Sequence, residues 1–311
     1  MGKCCSTQAE ADFNALQKEW EGPFTDSGRI QPTPRRLPVD LPSPVVSLDC
    51  GRSHAMALDN MNRIYEWRSW GRIAQIKDSD RRWGRVKQIC CGWSFSALLS
   101  SDVTGKNQVF IHHAPSNHAI ISAASSQGFG SEGHASEGVL FPMDINSIQL
   151  PNLPKPYEQD IIVQIAAGDE FIVALSDNGH VFKVDVSAPA LPPNQQPPPP
   201  ERDRNRIEGM DLNTRERLQA AFIRGERTWD YMPFFCDMNR IASLPAFGEE
   251  GCIKPSKKAK ISHVTAHFEH MVAYSVGESE GEQIVLMGRR ETGPEDLPRV
   301  EAKLQGRNVI K

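Results

Sequence analysis

From residue 45 the chain reads "VVSLDCGRSHAMALDNMNRIYEW": a short apolar run, a Cys-Gly step, a second apolar run, an Asp-Asn turn and a third run. Its first fourteen residues recur without a gap. "VVSLDCGRSHAMAL" from Val45 aligns with "VKQICCGWSFSALL" from Val86, "IVQIAAGDEFIVAL" from Ile162 and "ISHVTAHFEHMVAY" from Ile261. Apolar residues hold the first and fourth places. A small residue and Gly then lead to His54, Phe95, Phe171 or His270 at the tenth place, and a short apolar run follows. After a turn each copy continues, with "RIYEW", "QVFIH", "HVFKV" or "QIVLMG". Short apolar runs bounded by Gly, Asn and Asp predict strands, and "LDNMNR" and "SDNGH" predict hairpin turns. Gly51, Gly92 and Gly168 are predicted tight backbone steps that favour positive φ or close approach to a neighbouring unit.

Self-similarity of this kind marks a repeat architecture, in which a unit that buries too little alone must stack on its neighbours. The copies start 41, 76 and 99 residues apart. The shortest spacing is that of one propeller blade, and the longer two must hold insertions. The predicted fold is all-β, a partial and open β-propeller with a proline-rich and short helical insertion. Its predicted units are 45–85, 86–161 with a Ser/Gly-rich loop, 162–260 with the insertion, and 261–308. Residues 1–44 read as a linker or the end of a preceding blade, and 309–311 as the start of a further one. An open arc exposes its first and last units, so association with other chains is expected.

Within the insertion, "SAPALPPNQQPPPPERDRNR" (187–206) reads as a stiff spacer. Thr214 can cap a short helix with Leu218, Ala221 and Phe222 on one face. The insertion is expected to pack this helix on the propeller edge; the alternative is a partner surface, since Trp229, Tyr231, Phe234 and Phe235 are unusually many aromatic residues for a loop.

The pattern of apolar strand, Cys/Ala-Gly, His-x-x-Ala-Leu, hairpin and Trp-Gly resembles the regulator of chromosome condensation-type repeat. The resemblance implies a seven-bladed β-propeller. Pro-Arg ahead of the strand, in "TPRRLPVDLPSPVVSL" and "LPRVEAKLQGRNVIK", fits the same repeat. Within that superfamily "CGRSHAMALDNMNRIYEWRSWGRIAQI", "VKQICCGWSFSALL" and "ISHVTAHFEHMVAYSVG" are most similar to the fungal SCF-associated factors, which are F-box proteins. Two departures stand out. His267 replaces the repeat's Gly in the fourth copy, and four units fall short of seven, so the chain reads as truncated at both ends.

Net charge is −4, with 35 Lys+Arg against 39 Asp+Glu, which argues against a sequence-independent nucleic-acid binder. No apolar run approaches the roughly 20 residues that span a bilayer. The seven cysteines show no CxxC spacing, so neither a zinc site nor a disulfide framework is indicated. Reduced thiols in the cytoplasm or nucleus are the simplest reading, with Cys90 and Cys91 buried and inert. His263, His267 and His270 invite a metal reading, but strand alternation separates them, and His270 takes the repeat's packing position. "DSDRRWGRVK" and "KPSKKAK" read as solvated basic loops. "MGKCCS" fits an N-terminal lipidation pattern through Gly2, Cys4 and Cys5, a reading that requires Met1 to be the true start.

No nucleophile motif is present, and no enzyme activity, metal or cofactor is expected. The resemblance implies a non-catalytic protein-interaction propeller, the substrate-recruiting part of an SCF-type ubiquitin ligase. Its partners would be a protein substrate of the ligase and, only through an F-box missing from this chain, a Skp1-type adaptor. The alternatives are a guanine-nucleotide exchange factor acting on a small GTPase and a lipid-anchored scaffold.

Overall fold

The computed structural model of the protein describes residues 41–51, 54–67, 72–78, 82–114, 139–187, 226–248 and 253–300. Four sheets follow one another along the chain. Sheet 1 holds β1 (Val45–Cys50), β2 (Ala55–Asp59), β3 (Ile64–Trp67) and β4 (Arg72–Asp78) in that order, antiparallel throughout. Sheet 2 holds β5 (Arg85–Cys91), β6 (Phe95–Ser101) and β7 (Asn107–His113). The next stretch contributes β8 (Val139–Ile145) and β9 (Ile148–Gln149), of which β9 completes sheet 2. Sheet 3 is β10 (Ile162–Ala167), β11 (Phe171–Ser176), β12 (Val181–Asp185) and β13 (Asp230–Tyr231). Sheet 4 is β14 (His263–His267), β15 (His270–Ser275), β16 (Ile284–Arg289) and β17 (Arg299–Val300).

The repeat explains how the sheets sit. The first strands β1, β5, β10 and β14 touch in succession, each also lying against the second strand of the sheet before it. Sheets whose first strands line one axis form the blades of a propeller, and the all-β fold expected from the repeat is the fold observed. Between successive sheets lie three apolar cores. Met56 and Leu58 meet Ile89 and Leu98; Ala97 and Leu99 meet Ile165 and Ala174; Val173 and Leu175 meet Val264 and Ala273. In repeat terms, places twelve and fourteen of one copy pack on places four and thirteen of the next.

Two polar devices accompany that packing. The register of the first hairpin shifts between Val45 and Ser47, Val86 and Gln88, and Ile162 and Gln164. A bulge therefore recurs at the second place and turns its side chain out of the ladder. At the third place, Gln88 Nε2 donates to Ile165 O at 2.6 Å and Ile165 N donates to Gln88 Oε1 at 2.9 Å. Gln164 Oε1 likewise accepts from Val264 N at 3.0 Å. Each glutamine satisfies a backbone group that faces away from its own sheet. Gln88→Ala removes two such bonds and leaves the Ile165 amide bare, so we expect a loss of about 2 kcal/mol, read as a lower midpoint in chemical denaturation.

Three observations bear on the expectation. The stretch assigned to the second unit lends a strand to the first: β8 runs parallel to β4 from Arg72↔Val139 to Asp78↔Ile145, making sheet 1 five-stranded. The aromatic segment is largely packed inward, as the edge-packing reading expects, rather than lying open as a loop. Trp229 and Phe235 are buried, Trp229 Nε1 donates to Pro151 O at 2.9 Å, and Tyr231 sits in the last strand of sheet 3. A short helix α1 (Met238–Ala242), capped by Asp237 accepting from Asn239 N, follows and buries Ile241. Finally, the repeat glycines do not need positive φ. Among the described residues the left-handed positions are Asn62, Gly105, Gly179 and Phe268, the last supplying another turn solution where His267 replaces Gly. The predicted helix near Thr214, Leu218, Ala221 and Phe222, the spacer from residue 188 on, residues 309–311, and Gly2, Cys4 and Cys5 lie outside the described residues.

Candidate protein-binding surface

Each repeat hairpin ends where the next residue begins a second, polar turn, and the polar side chain that opens it organises it. Asp59 accepts from Met61 N at 2.9 Å, Arg63 N at 2.8 Å, Arg63 Nε at 2.7 Å and Tyr65 Oη at 2.9 Å. Burial pushes the Asp59 carboxyl up, but those four donors outweigh it and hold it below the usual range. The same environment pushes Tyr65 up to about 12. Asp102 does likewise for Thr104 and Lys106, and the Ser176 hydroxyl, itself donating to Asp160, accepts from His180 N. The residue in the left-handed region stands at the same offset in all three turns: Asn62 with φ 64, Gly105 with φ 85 and Gly179 with φ 83.

These turns occupy one end of the sheets, the end at which the first strands begin. There Asn60 N donates to Pro44 O, and Asp177 N donates to Ile161 O. That end carries several of the large apolar side chains left in solvent. Met61 is 66% exposed, Val103 103%, Val163 47% and Val276 53%. They come from all four sheets, one after another. A single exposed apolar side chain means little, whereas four of them at one end of successive sheets make a candidate protein-binding surface. Beside Val163 and Val276 lies a cleft of about 370 Å³ whose rim includes Lys258 and Lys260, the latter bonded to Asp177 O. Sequence reasoning left this surface unassigned, because an exposed Val in a turn carries no pattern of its own. The one available signal was the bulge place, which is Val46 and Val163 in two copies.

The predicted repeat positions lie at the opposite end, inside the hairpins. Gly51 N, Gly92 N and Gly168 N donate to His54 O, Phe95 O and Phe171 O. The residue after the glycine then bonds across to the next sheet's hairpin: Trp93 N donates to Asp169 O at 3.0 Å, and Asp169 N to Phe268 O at 2.8 Å. His54, Phe95 and Phe171 are buried, facing the following sheet. His270 is exposed, contrary to the packing expected of it, because no following sheet lies over it among the described residues. His263 stacks on Tyr274 at 4.9 Å. Among the described residues no group of three or more His, Cys, Asp or Glu side chains is placed to hold a metal. Cys90 and Cys91 are buried, and burial pushes both thiols well above their usual range, away from reactivity.

One polar group escaped sequence reasoning. Glu66 on β3 is fully buried between sheets 1 and 2, with His112 Nε2 at 2.8 Å from one carboxylate oxygen and the Ser96 hydroxyl donating to the other at 3.0 Å. His54 Nε2 lies 2.9 Å from Ser96 Oγ. Ser, His and Glu in contact invite a catalytic reading, but none of these side chains is more than 5% exposed as a residue, so no substrate reaches the hydroxyl. The group instead ties the two sheets together. Its signal in the sequence is a Glu within "RIYEW", at the register place that Ile111 and Lys183 hold in the next two sheets.

No protein-family model matches the chain, and no curated protein sequence does. Among solved structures the chain is similar to Prp20p from Saccharomyces cerevisiae, at 16% identity and a TM-score of 0.41 over 87% of this chain and 53% of that one. It is also similar to yeast RCC1 (Prp20) in its complex with Kap60, at 17% identity and a TM-score of 0.39 over 83% and 46%. Human WBSCR16 is similar at 13% identity and a TM-score of 0.39 over 82% and 51%. The chain thus spans about half the length of each of these structures.

Proposed function

We propose that the chain is a non-catalytic protein-interaction propeller and serves as the substrate-recruiting part of an SCF-type ubiquitin ligase. The observation that carries the interaction role is the row of exposed apolar side chains on the turn end of four successive sheets. Stiff turns present them without the ordering cost that loose loops incur on binding. The ligase assignment rests on the residue resemblance to the SCF-associated factors. Its mechanism is positioning: the turn end holds a protein so that its lysines stay near a ubiquitin-charged enzyme. No helix among the described residues is long and apolar enough to cross a membrane.

The test is reconstitution. The chain fused to an F-box, with the Skp1-type adaptor and the remaining ligase subunits, should ubiquitinate a protein co-purified with it from cells. Met61→Asp and Val276→Asp, both in exposed turns, should each reduce capture about tenfold while leaving the fold intact, since each removes an apolar contact and adds a charge to desolvate. Capture unaffected by either change removes the turn end as the binding surface. Stimulated GDP release from a small GTPase, with no ubiquitin transfer, replaces the ligase reading by nucleotide exchange.

A further inference from the structure

The chain fills two of its junctions in the same way. In sheet 2 the last strand leads into Leu150, whose N donates to Val109 O at 2.8 Å, and in sheet 3 into Met232, whose N donates to Val181 O at 2.9 Å. Three residues on stand Leu153 and Phe235, and all four side chains are buried in the cores between sheets. Both stretches share one chemistry, apolar-Pro-x-apolar: "LPNL" from Leu150 and "MPFF" from Met232. In sheet 1 the corresponding residue is Ile76, paired with Ile64. There the sequence continues "IKDS", with no proline and no second apolar residue.

The space that Leu153 closes is open between sheets 1 and 2. A cleft of about 740 Å³ runs along Ile64, Ile76, Trp83, Val86 and Met143. The equivalent space between sheets 2 and 3, bounded by Val109, Leu150, Leu153 and Ile162, is about 20 Å³. The opening is not a parting of the sheets. On one side Asn62 Oδ1 accepts from Val86 N at 2.8 Å, and Asn62 Nδ2 donates to Gly84 O at 3.2 Å. On another, Trp83 Nε1 donates to Ser147 Oγ at 3.0 Å, and that hydroxyl donates to Asp78 Oδ1 at 2.9 Å, pinning the chain just after β8. The rim is balanced in charge, since Lys77 and Asp144 are ladder partners and Arg63 is bonded to Asp59. A preformed cleft of this size, apolar along its walls and balanced at its rim, suits an uncharged apolar segment rather than an acidic or basic one.

We propose that this cleft binds an extended apolar-Pro-x-apolar segment of a partner protein, seated as Leu150–Leu153 and Met232–Phe235 are seated at the other two junctions. The cleft reaches Asn62, next to the exposed Met61. The inference therefore rests on the reading of the turn end as a protein-binding surface, and it names the sequence chemistry that this end takes. The segment's second apolar side chain fills the place that Leu153 and Phe235 hold elsewhere.

The experiment titrates the full 311-residue chain into a fluorescein-labelled peptide, SIQLPNLPKPY, a copy of residues 147–157, and reads its anisotropy. Saturable binding is expected. A peptide carrying Leu150→Asp and Leu153→Asp should bind about tenfold more weakly, since both anchors are lost. Lys77→Trp on β4 and Met143→Trp on β8 fill the cleft from two walls and should each weaken binding about tenfold, whereas the volume-conserving Met143→Leu should keep it. Lys77 is exposed, so that variant reports even where Met143→Trp fails to fold. A wild type with no saturable binding overturns the proposal, and protection of the β8 amides from hydrogen exchange would then show that the chain itself covers the cleft. Binding unchanged in both filled variants overturns it too. If the peptide does not bind while Met61→Asp still lowers capture of the co-purified protein, this inference falls and the turn-end surface stands. If the peptide binds while capture ignores Met61→Asp and Val276→Asp, the peptide site stands and the row of exposed apolar side chains falls.

Discussion

Gly92→Ala should destabilise the protein by about 3 kcal/mol or more, at the upper end of what single substitutions do. A Cβ on Gly92 would stand 2.0 Å from the ring of Phe95, which is itself 1% exposed and shut between sheets 2 and 3. Gly168 repeats the arrangement one sheet on, with the Phe171 ring at 2.1 Å and the backbone oxygen of Phe268 at 2.6 Å. At Gly51 the obstacle is the Gly92 carbonyl oxygen at 2.1 Å. At Gly92 and Gly168 the first neighbour is a buried ring of the same hairpin, and at Gly51 it is the backbone of the next sheet, so either a ring with no room must move or the backbone must shift. The comparison that isolates the cause is Gly105→Ala. Gly105 has φ 85 and nothing within 4 Å of a Cβ, so that change costs only the left-handed strain, about 1 kcal/mol. Denaturant midpoints of the four variants check the order. Equal losses at Gly92 and Gly105 would mean that backbone conformation, rather than contact with the buried Phe95 ring, selects glycine here.

That distinction shows where sequence reading stopped. Three glycines at one place in an ungapped repeat announced a constraint, and the alternating apolar places announced which residues face a neighbour. Both are properties of a single unit and its copies, so they are legible in one dimension. Which constraint the glycine answers depends on how the hairpin folds its own side chains back, and Phe95 and Phe171 supply most of it from three residues away. His270 illustrates the limit from the other side. It occupies the same place as Phe95, yet it is exposed, because packing there needs a sheet that follows. The turn end was opaque for another reason: Met61, Val103 and Val276 share no place in the repeat, and only the common direction of the turns gathers them. The strand β8 was opaque too, since its partner β4 lies before sheet 2 in the sequence and nothing local names it.

His112→Leu should cost about 3–5 kcal/mol, because it leaves the buried Glu66 carboxylate without the imidazole that offsets its loss of water. Restoring a neutral pair with Glu66→Gln in the same chain should recover a large part of that loss, which separates the charge from the packing of the ring. The pH profile supplies an independent reading. Burial pushes the Glu66 carboxyl up, but His112, His54 and the Ser96 hydroxyl outweigh it and hold it below the ordinary 4.5. A carboxyl whose folded value is depressed contributes stability above its unfolded value and loses it as pH falls through the folded one. Between neutral pH and about 5 the Glu66 contribution should therefore be constant, and below 4.5 it should decline. Urea midpoints of the wild type and of Glu66→Gln, taken at intervals from pH 7 to pH 3, should converge at the acid end, as the wild type loses a charge that the glutamine never carried. Parallel curves over the whole range would mean that the Glu66 pKa does not change on folding, whereas a wild type that gains on Glu66→Gln as pH falls would show a carboxyl that stays protonated in the folded protein.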